Sequence, residues 1–379
     1  MNTEGMTNNL NAYFTQLPDQ RRKAGRRHKL IDIITIAICG IICGADDWSG
    51  IEEYGKAKEG WLRQFLELPH GIPSHDTFGR VFSWIDPQAF EKCFVNWVQA
   101  VIGRTEGQVI AIDGKTLRRS HDHANGKEAI HMVSAWAEKN RLVLAQIKVD
   151  EKSNEITAIP ELLRVLELEG CTVTTDAMGC QQEIAALVVE KGGDYLLAVK
   201  ENQGQLYEDI TELFDGAEEV DFFDVEHTYA KTTHKDHGRI ETRECWAVTE
   251  PDFTHYLRGL KNWKNLRSMV KVTCQRHTAT GTTQESRYFI SSLNSPAKQV
   301  LKAVRGHWSI ENGLHWVLDV AFREDDCRVR KDHAPENLAV LRHIALNLLK
   351  QDRTIKRGIK IKRLAAAWDN DYLIQLFSD

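Results

Sequence analysis

Three carboxylates set the chemistry that this chain can do. Val109-Ile110-Ala111-Ile112-Asp113-Gly114-Lys115 is a strand-like run that delivers Asp113 just before a glycine, and Cys171-Thr172-Val173-Thr174-Thr175-Asp176 delivers Asp176 ahead of Ala177-Met178-Gly179. Glu311 follows much later, in the helical run His307-Trp308-Ser309-Ile310-Glu311-Asn312. An aspartate at a strand end beside a glycine turn puts its carboxylate at the sheet's edge, where a divalent cation keeps open positions for phosphate and water. Two hard cations about 3.5–4 Å apart need several hard oxygen ligands, and together they activate an attacking oxygen and stabilise a leaving one. Taken singly, each residue has a plainer reading: Asp-Gly as a turn, Thr-Asp-Ala as the cap of a helix starting near Gln181, and Glu311 as a solvated helix residue. Three such carboxylates are what two-metal phosphoryl transfer requires.

The elements that must position them follow from hydrophobic period. Val109 to Ile112, Met132 to Trp136, Leu142 to Val149, Thr172 to Thr175 and Asp194 to Lys200 read as strands, and Ala158 to Glu169 and Gln181 to Lys191 as helices. Strands that neighbour each other first and then alternate with helices predict an α/β fold with a mixed sheet covered by helices. Before this, Leu10 to Asp86 is helical, with Ile31, Ile34, Ile38 and Ile41 spaced by three and four. Pro73-Ser74 starts a further helix there, and the resulting helix, turn and helix could dock into a DNA groove or simply pack. From Phe222 to Leu293 the sequence alternates and is rich in turns, which predicts a β-rich insertion between Asp176 and Glu311. From Pro296 onward it is helical again. The expected division is a helical segment 1–100, a first core segment 105–215, a β-rich insertion 216–295, and a helical segment 296–379 carrying Glu311.

A chain of 379 residues with a formal net charge of −5 is not coated in positive charge, so any nucleic-acid contact must come from local clusters. Arg21, Arg22, Lys23, Arg26, Arg27 and Lys29 form one, and Arg353, Lys356, Arg357, Lys360, Lys362 and Arg363 another. Each is a candidate phosphate-binding face or a solvated helix flank. The eight cysteines form no CxxC pair or regular ladder, and none of the 15 histidines is spaced as a zinc pair, so no histidine is assigned to metal. Leu30 to Ala45 is apolar but too short to span a bilayer and reads as a buried helix. The first residues lack the order of a signal peptide, which fits a cytoplasmic setting. Trp308 and Trp316 read as packing residues.

Ala111-Ile112-Asp113-Gly114-Lys115-Thr116-Leu117-Arg118, Thr175-Asp176-Ala177 and the run from Arg305-Gly306-His307-Trp308 through Glu311-Asn312-Gly313-Leu314-His315-Trp316 to Val320 resemble the DDE transposases of the ISAs1 family and the H-repeat-associated proteins. The likeness covers nearly the whole chain. It implies a ribonuclease H-like catalytic core, with the β-rich insertion placed before the glutamate helix as in IS4-like transposases. It makes Asp113, Asp176 and Glu311 both catalytic residues and ligands of two Mg²⁺ ions, for which Mn²⁺ can substitute. The implied activity is DNA strand cleavage and strand transfer at the ends of an insertion sequence. The implied partners are double-stranded DNA and a second copy of the chain, with no membrane and no nucleotide cofactor, in a cytoplasmic, nucleoid-associated setting.

Candidate DNA contacts are Arg26, Arg27, Lys115, Arg118, Arg119, Lys200, Asn202, Gln203, Arg239, Arg305 and His307. The Tyr, Arg and Lys that accompany the glutamate in IS4-type sequences are replaced here by Val304, His307 and Leu318. Asp319, Glu324, Asp325 and Asp326 are rival third carboxylates, and the Trp308-x-Ile310-Glu311 match selects Glu311. A metal-dependent nuclease that does not join ends, and an inactive DNA-binding relic, are the alternative functions.

Overall fold

Apolar and β-branched runs pair into one nine-stranded sheet with the order β3-β2-β1-β4-β5-β9-β8-β7-β6. The computed structural model describes residues 12–22, 26–102, 107–121, 126–150, 153–223, 225–236, 238–249 and 256–377, so Lys23 and His237 lie outside the described residues. β1 (Val109–Thr116), β2 (His131–Ala137) and β3 (Leu142–Lys148) form an antiparallel meander. β4 (Thr172–Thr175) and β5 (Asp194–Val199) join it parallel to β1. The helices α5 (Glu155–Val165) and α6 (Gln182–Glu190) supply the crossovers that parallel strands require. Ile110, Ala111 and Ile112 are at most 1 % exposed, as expected of a central strand covered on both faces. This is the ribonuclease H-like core that the resemblance implies.

The β-rich segment is not a separate body. β6 (His227–Asp236), β7 (Arg239–Val248), β8 (Ser268–Thr278) and β9 (Gly281–Ser291) are antiparallel neighbours, and β9 pairs with β5 from Leu196↔Ser291 to Val199↔Tyr288. The sheet therefore runs on through the segment. One face of this extension, with Leu196, Cys245, Ala247, Val270 and Phe289, buries Val300, Leu301, Ala303 and Val304 of α8 (Ala297–His307). The segment thus forms the seat for the helix that leads to Glu311.

A helical layer covers the rest. α1 (Leu30–Ile42) is buried from Asp32 to Ile42 and α10 (Ala334–Gln351) from Ala334 to Leu349, which makes them the centre of the helical core. No helix among the described residues is long and apolar enough to cross a membrane. α2 (Trp48–Leu62) packs against α1, and α3 (His75–Trp84) and α4 (Pro87–Ile102) pack against α10. Ser74 caps α3 by accepting from Thr77 N, the cap that Pro73-Ser74 predicts. α3 packs by one face: Phe78, Val81 and Phe82 are buried, Phe82 stacks on Trp48, and Asn337 donates to the carbonyls of Phe82 and Ile85, while His75, Asp76, Arg80 and Trp84 are exposed.

Part of each basic cluster is likewise used inside the molecule. Arg21 and Arg26 both pair with Asp19. On α11 (Ile359–Trp368), Lys362 donates to Leu349 O and pairs with Asp352, while Arg363 donates to Ile41 O at the end of α1. Those cations satisfy carbonyls that a helix end leaves open.

Candidate active site

The parallel pairing of β1 with β4 ends at Ile112↔Thr175, so Asp113 and Asp176 are the next residues on adjacent strands, at the carboxyl end of the parallel pair. Asp113 is not at a strand end before a tight turn. β1 continues through Gly114, Lys115 and Thr116, each still paired with β2. Gly114 is needed for a different reason: a Cβ there would collide with the carboxylate of Glu155 and the ring of His131, which are hydrogen-bonded to each other at 2.7 Å. Asp176 does leave its strand, and its Oδ1 accepts from the amides of Met178 and Gly179 at 2.9 and 3.3 Å. That Asx-type turn fixes the carboxylate.

Glu311 comes from the other side. After α8 the chain makes a π-helical turn, Glu311–His315, in which Trp316 N donates five residues back to Glu311 O, and then continues as α9 (Trp316–Phe322). The turn rests on Trp136 of β2, whose Nε1 donates to Ser309 Oγ at 3.0 Å. A widened turn of this kind is an uncommon backbone state that recurs at functional sites.

The same turn brings in a residue that the sequence reading left out. His315 Nδ1 lies 3.5 Å from Asp113 Oδ2 and 3.7 Å from Glu311 Oε2. Asp113, Glu311 and His315 each offer one ligand atom, and these atoms all lie within 4.8 Å of one another. Neighbouring ligands of a cation bound at about 2.1 Å stand about 3 Å apart, so a small contraction would fit them round a divalent metal. The sequence holds only a weak hint, that His315 follows Glu311 by four residues and so shares its helix face; what brings the ring to Asp113 is the fold.

Electrostatics single out Asp113. Burial pushes its carboxyl up to about 7, Glu311 and Asp176 add to the rise, and His315 opposes it. Burial also raises Asp176, against the pull of its two amide hydrogen bonds, while Glu155 adds negative charge nearby. Glu311, with its side chain 53 % exposed, is held below its ordinary range by His315. Buried aspartates that resist ionisation beside a third carboxylate are a site that a cation would relieve.

The remaining candidates divide. Lys115 is 13 % exposed and donates to Asp319 at 2.5 Å and Glu324 at 2.9 Å, with Asp325 at 3.4 Å, so it is engaged by the carboxylates that rival Glu311. Those acids form a separate cluster around Lys115. Asn202 donates to Ala177 O and Gln203 to Cys180 O, both at 2.8 Å, so the pair braces the loop that follows Asp176. His307 bonds Thr174 Oγ1 at 3.1 Å, and burial pulls it down to about 4, so it is neutral.

Arg26 donates to the carbonyls of Arg21 and Asp19. Arg239 pairs with Glu241 at 3.0 Å, and Arg305 meets His234 at 2.7 Å. Arg118, at 77 % exposed, and Arg119 pair with Asp325 and Asp326. Arg27 and Lys200 are exposed. Trp308 and Trp316 are not packing residues: they are 45 % and 60 % exposed, and the Arg287 guanidinium stands 4.6 Å over the Trp308 ring.

Comparison with known proteins identifies the family. Residues 104–348 match the family described as Transposase DDE domain, and residues 11–98 match the one described as DDE_Tnp_1-associated. The chain is 42 % identical to "H repeat-associated putative transposase YhhI" of Escherichia coli K12, over 97 % of each chain. It is also 42 % identical to "Putative transposase YncI" of Escherichia coli O157:H7, over 97 % of this chain and 93 % of that one. A solved piggyBac transposase synaptic complex with hairpin DNA shares 10 % identity at a TM-score of 0.43, covering 99 % of this chain and 77 % of that chain. With a DDE domain spanning most of its length and near full-length relatives at this identity, the chain belongs to the DDE transposase family, of the IS4-like type.

Proposed function

We propose that the chain cuts and joins double-stranded DNA at the ends of its own insertion sequence, with Asp113, Asp176 and Glu311 as the catalytic carboxylates. The observation that carries this reading is the meeting of three chain segments: Asp113 and Asp176 adjacent at the carboxyl end of β1 and β4, and Glu311 brought beside Asp113 by the π-helical turn, with Asp176 outside the Asp113, Glu311 and His315 group. These residues would hold the divalent cations, Mg²⁺ with Mn²⁺ as a substitute. When bound, such ions supply Lewis acidity, easing proton loss from an attacking water or 3′-hydroxyl and offsetting charge on the leaving oxygen. The protein's part is positional. Asp113 and Asp176 are fixed by β-sheet register and an Asx turn, and Glu311 by the Trp136 platform, so little reorganisation is needed when a phosphodiester arrives.

Phosphate contacts fall to cations that remain exposed: Arg118, Arg119, Lys200, Arg305 and Arg27. The reading includes a homodimer, since two element ends must be brought together. The test is incubation of purified protein with labelled duplexes bearing the two ends that flank its gene, with Mg²⁺ or Mn²⁺, beside the Asp113→Ala, Asp176→Ala and Glu311→Ala proteins. Metal-dependent nicking and joined products from the natural chain, lost in all three variants with DNA binding retained, are expected. Cleavage that survives Asp113→Ala would reject the assignment.

A further inference from the structure

We propose that His315 is a nitrogen ligand of the cation held by Asp113 and Glu311, giving that site a mixed nitrogen and oxygen donor set that prefers Mn²⁺ to Mg²⁺. The proposal rests on the reading of these two carboxylates as metal ligands and adds to it a third donor and a selectivity.

Two observations support it, and the ring's other nitrogen is left to be satisfied. Nδ1 is the ring nitrogen that faces both carboxylates, at 3.5 Å from Asp113 Oδ2 and 3.7 Å from Glu311 Oε2, and no other histidine among the described residues belongs to such a group. The His315 ring is 5 % exposed and sits on the π-helical turn with Glu311, so its direction is set by packing and backbone. Its second nitrogen, Nε2, is buried without a hydrogen-bond partner. If Nδ1 binds a cation, the ring proton belongs on Nε2, where an acceptor is normally provided. His343 on α10 is near enough for the two rings to feel each other's charge, and its Nδ1 is also buried without a partner.

The selectivity follows from ligand chemistry. Mg²⁺ binds hard oxygens in a strict octahedron and takes imidazole poorly, whereas first-row transition ions accept it readily. An all-oxygen site would treat Mg²⁺ and Mn²⁺ more evenly. The exposed side of Glu311 leaves room for waters or DNA oxygens to complete the shell.

The test is electron spin-echo spectroscopy of Mn²⁺ bound to the full chain, grown with natural and with ¹⁵N-labelled histidine, together with Mn²⁺ and Mg²⁺ titrations by calorimetry. A nitrogen coupling that changes with the label, in protein without any substitution, is the expected result. His315→Gln should lose the coupling and bind Mn²⁺ at least about tenfold more weakly, with a smaller change for Mg²⁺. Mn²⁺ that binds with no nitrogen coupling, yet is lost in Asp113→Ala, would overturn the proposal and leave the carboxylate reading standing. An absence of any Mn²⁺ binding that depends on Asp113 would overturn both.

Discussion

Gly313 lies against the indole of Trp136 so closely that a Cβ at position 313 would stand 2.7 Å from Trp136 Cζ2. Trp136 is fully buried on β2 and hydrogen-bonded to Ser309, so it cannot yield. Gly313→Ala should therefore lift the π-helical turn and displace Glu311 and His315 together. Overpacking of this sort costs about 1–3 kcal/mol in stability, and misplacing a catalytic group by about 1 Å costs about 100-fold in rate. The expected variant is folded, binds DNA, and nicks about 100-fold more slowly; Gly216→Ala, where no atom crowds a new Cβ, is the control. An unchanged nicking rate would show that the turn does not position the glutamate.

Asn202 and Arg305 are both candidate DNA contacts by sequence, and the structure separates their expected behaviour. Asn202 holds Ala177 O, one residue past Asp176, so Asn202→Ala should slow cleavage several-fold through a lost hydrogen bond worth about 1 kcal/mol, with DNA affinity and its salt dependence unaltered. Arg305 is exposed, so Arg305→Ala should weaken end binding and lower the salt slope by about 1. Titrations of labelled duplex across salt concentrations decide between the roles. A reduced salt slope in Asn202→Ala would return that residue to the DNA surface.

Lys115 directly follows the Asp113-Gly114 pair, which made a phosphate clamp the natural reading. In the structure it neutralises Asp319 and Glu324, the latter only 3 % exposed and also within reach of Arg342 at 3.5 Å. Removing one partner from a buried ion pair leaves the other charge stranded, a loss of about 3–5 kcal/mol. Lys115→Met should therefore lower the midpoint of urea unfolding sharply. If the variant is as stable as the natural chain and loses only DNA affinity, the lysine faces the substrate.

How much of this was legible in the sequence depends on the range of the interaction. Period and β-branched composition located β1 through β5, because alternation and burial act within a strand. The ends of β1 and β4 that set Asp113 and Asp176 side by side were readable for the same reason. Three features were not readable, and all depend on contacts distant in sequence. β9 pairs with β5 across the whole insertion, which alternation within a strand cannot reveal. Arg363, in a cluster that looked ready for phosphate, ends up capping α1 by its bond to Ile41 O. His315 becomes a site residue only because the turn carrying it folds over β1. Lone charges read as surface until their partners are known.

The last prediction concerns a buried acid outside the cluster of Asp113, Glu311 and His315. Glu91 on α4 accepts from Gln146 N on β3 at 2.8 Å, and its other oxygen and the Gln146 side-chain oxygen are both buried without partners. Burial pushes the Glu91 carboxyl up to about 8 from an ordinary 4.5, against the pull of its hydrogen bonds from Gln146. Below about pH 4.5 the acid is protonated whether the chain is folded or not, and the stability it confers is fully present. As pH rises toward 8 the unfolded chain ionises at this position while the folded chain does not, so stability falls by at most about 1.4 kcal/mol per pH unit, then levels off once the folded form ionises too. Glu91→Gln removes this dependence and supplies an amide that can donate to Gln146. Denaturant unfolding measured from pH 5 to pH 9 should show the variant gaining on the natural chain steadily up to about pH 8. Parallel curves for the two proteins would mean that Glu91 is ionised in the fold.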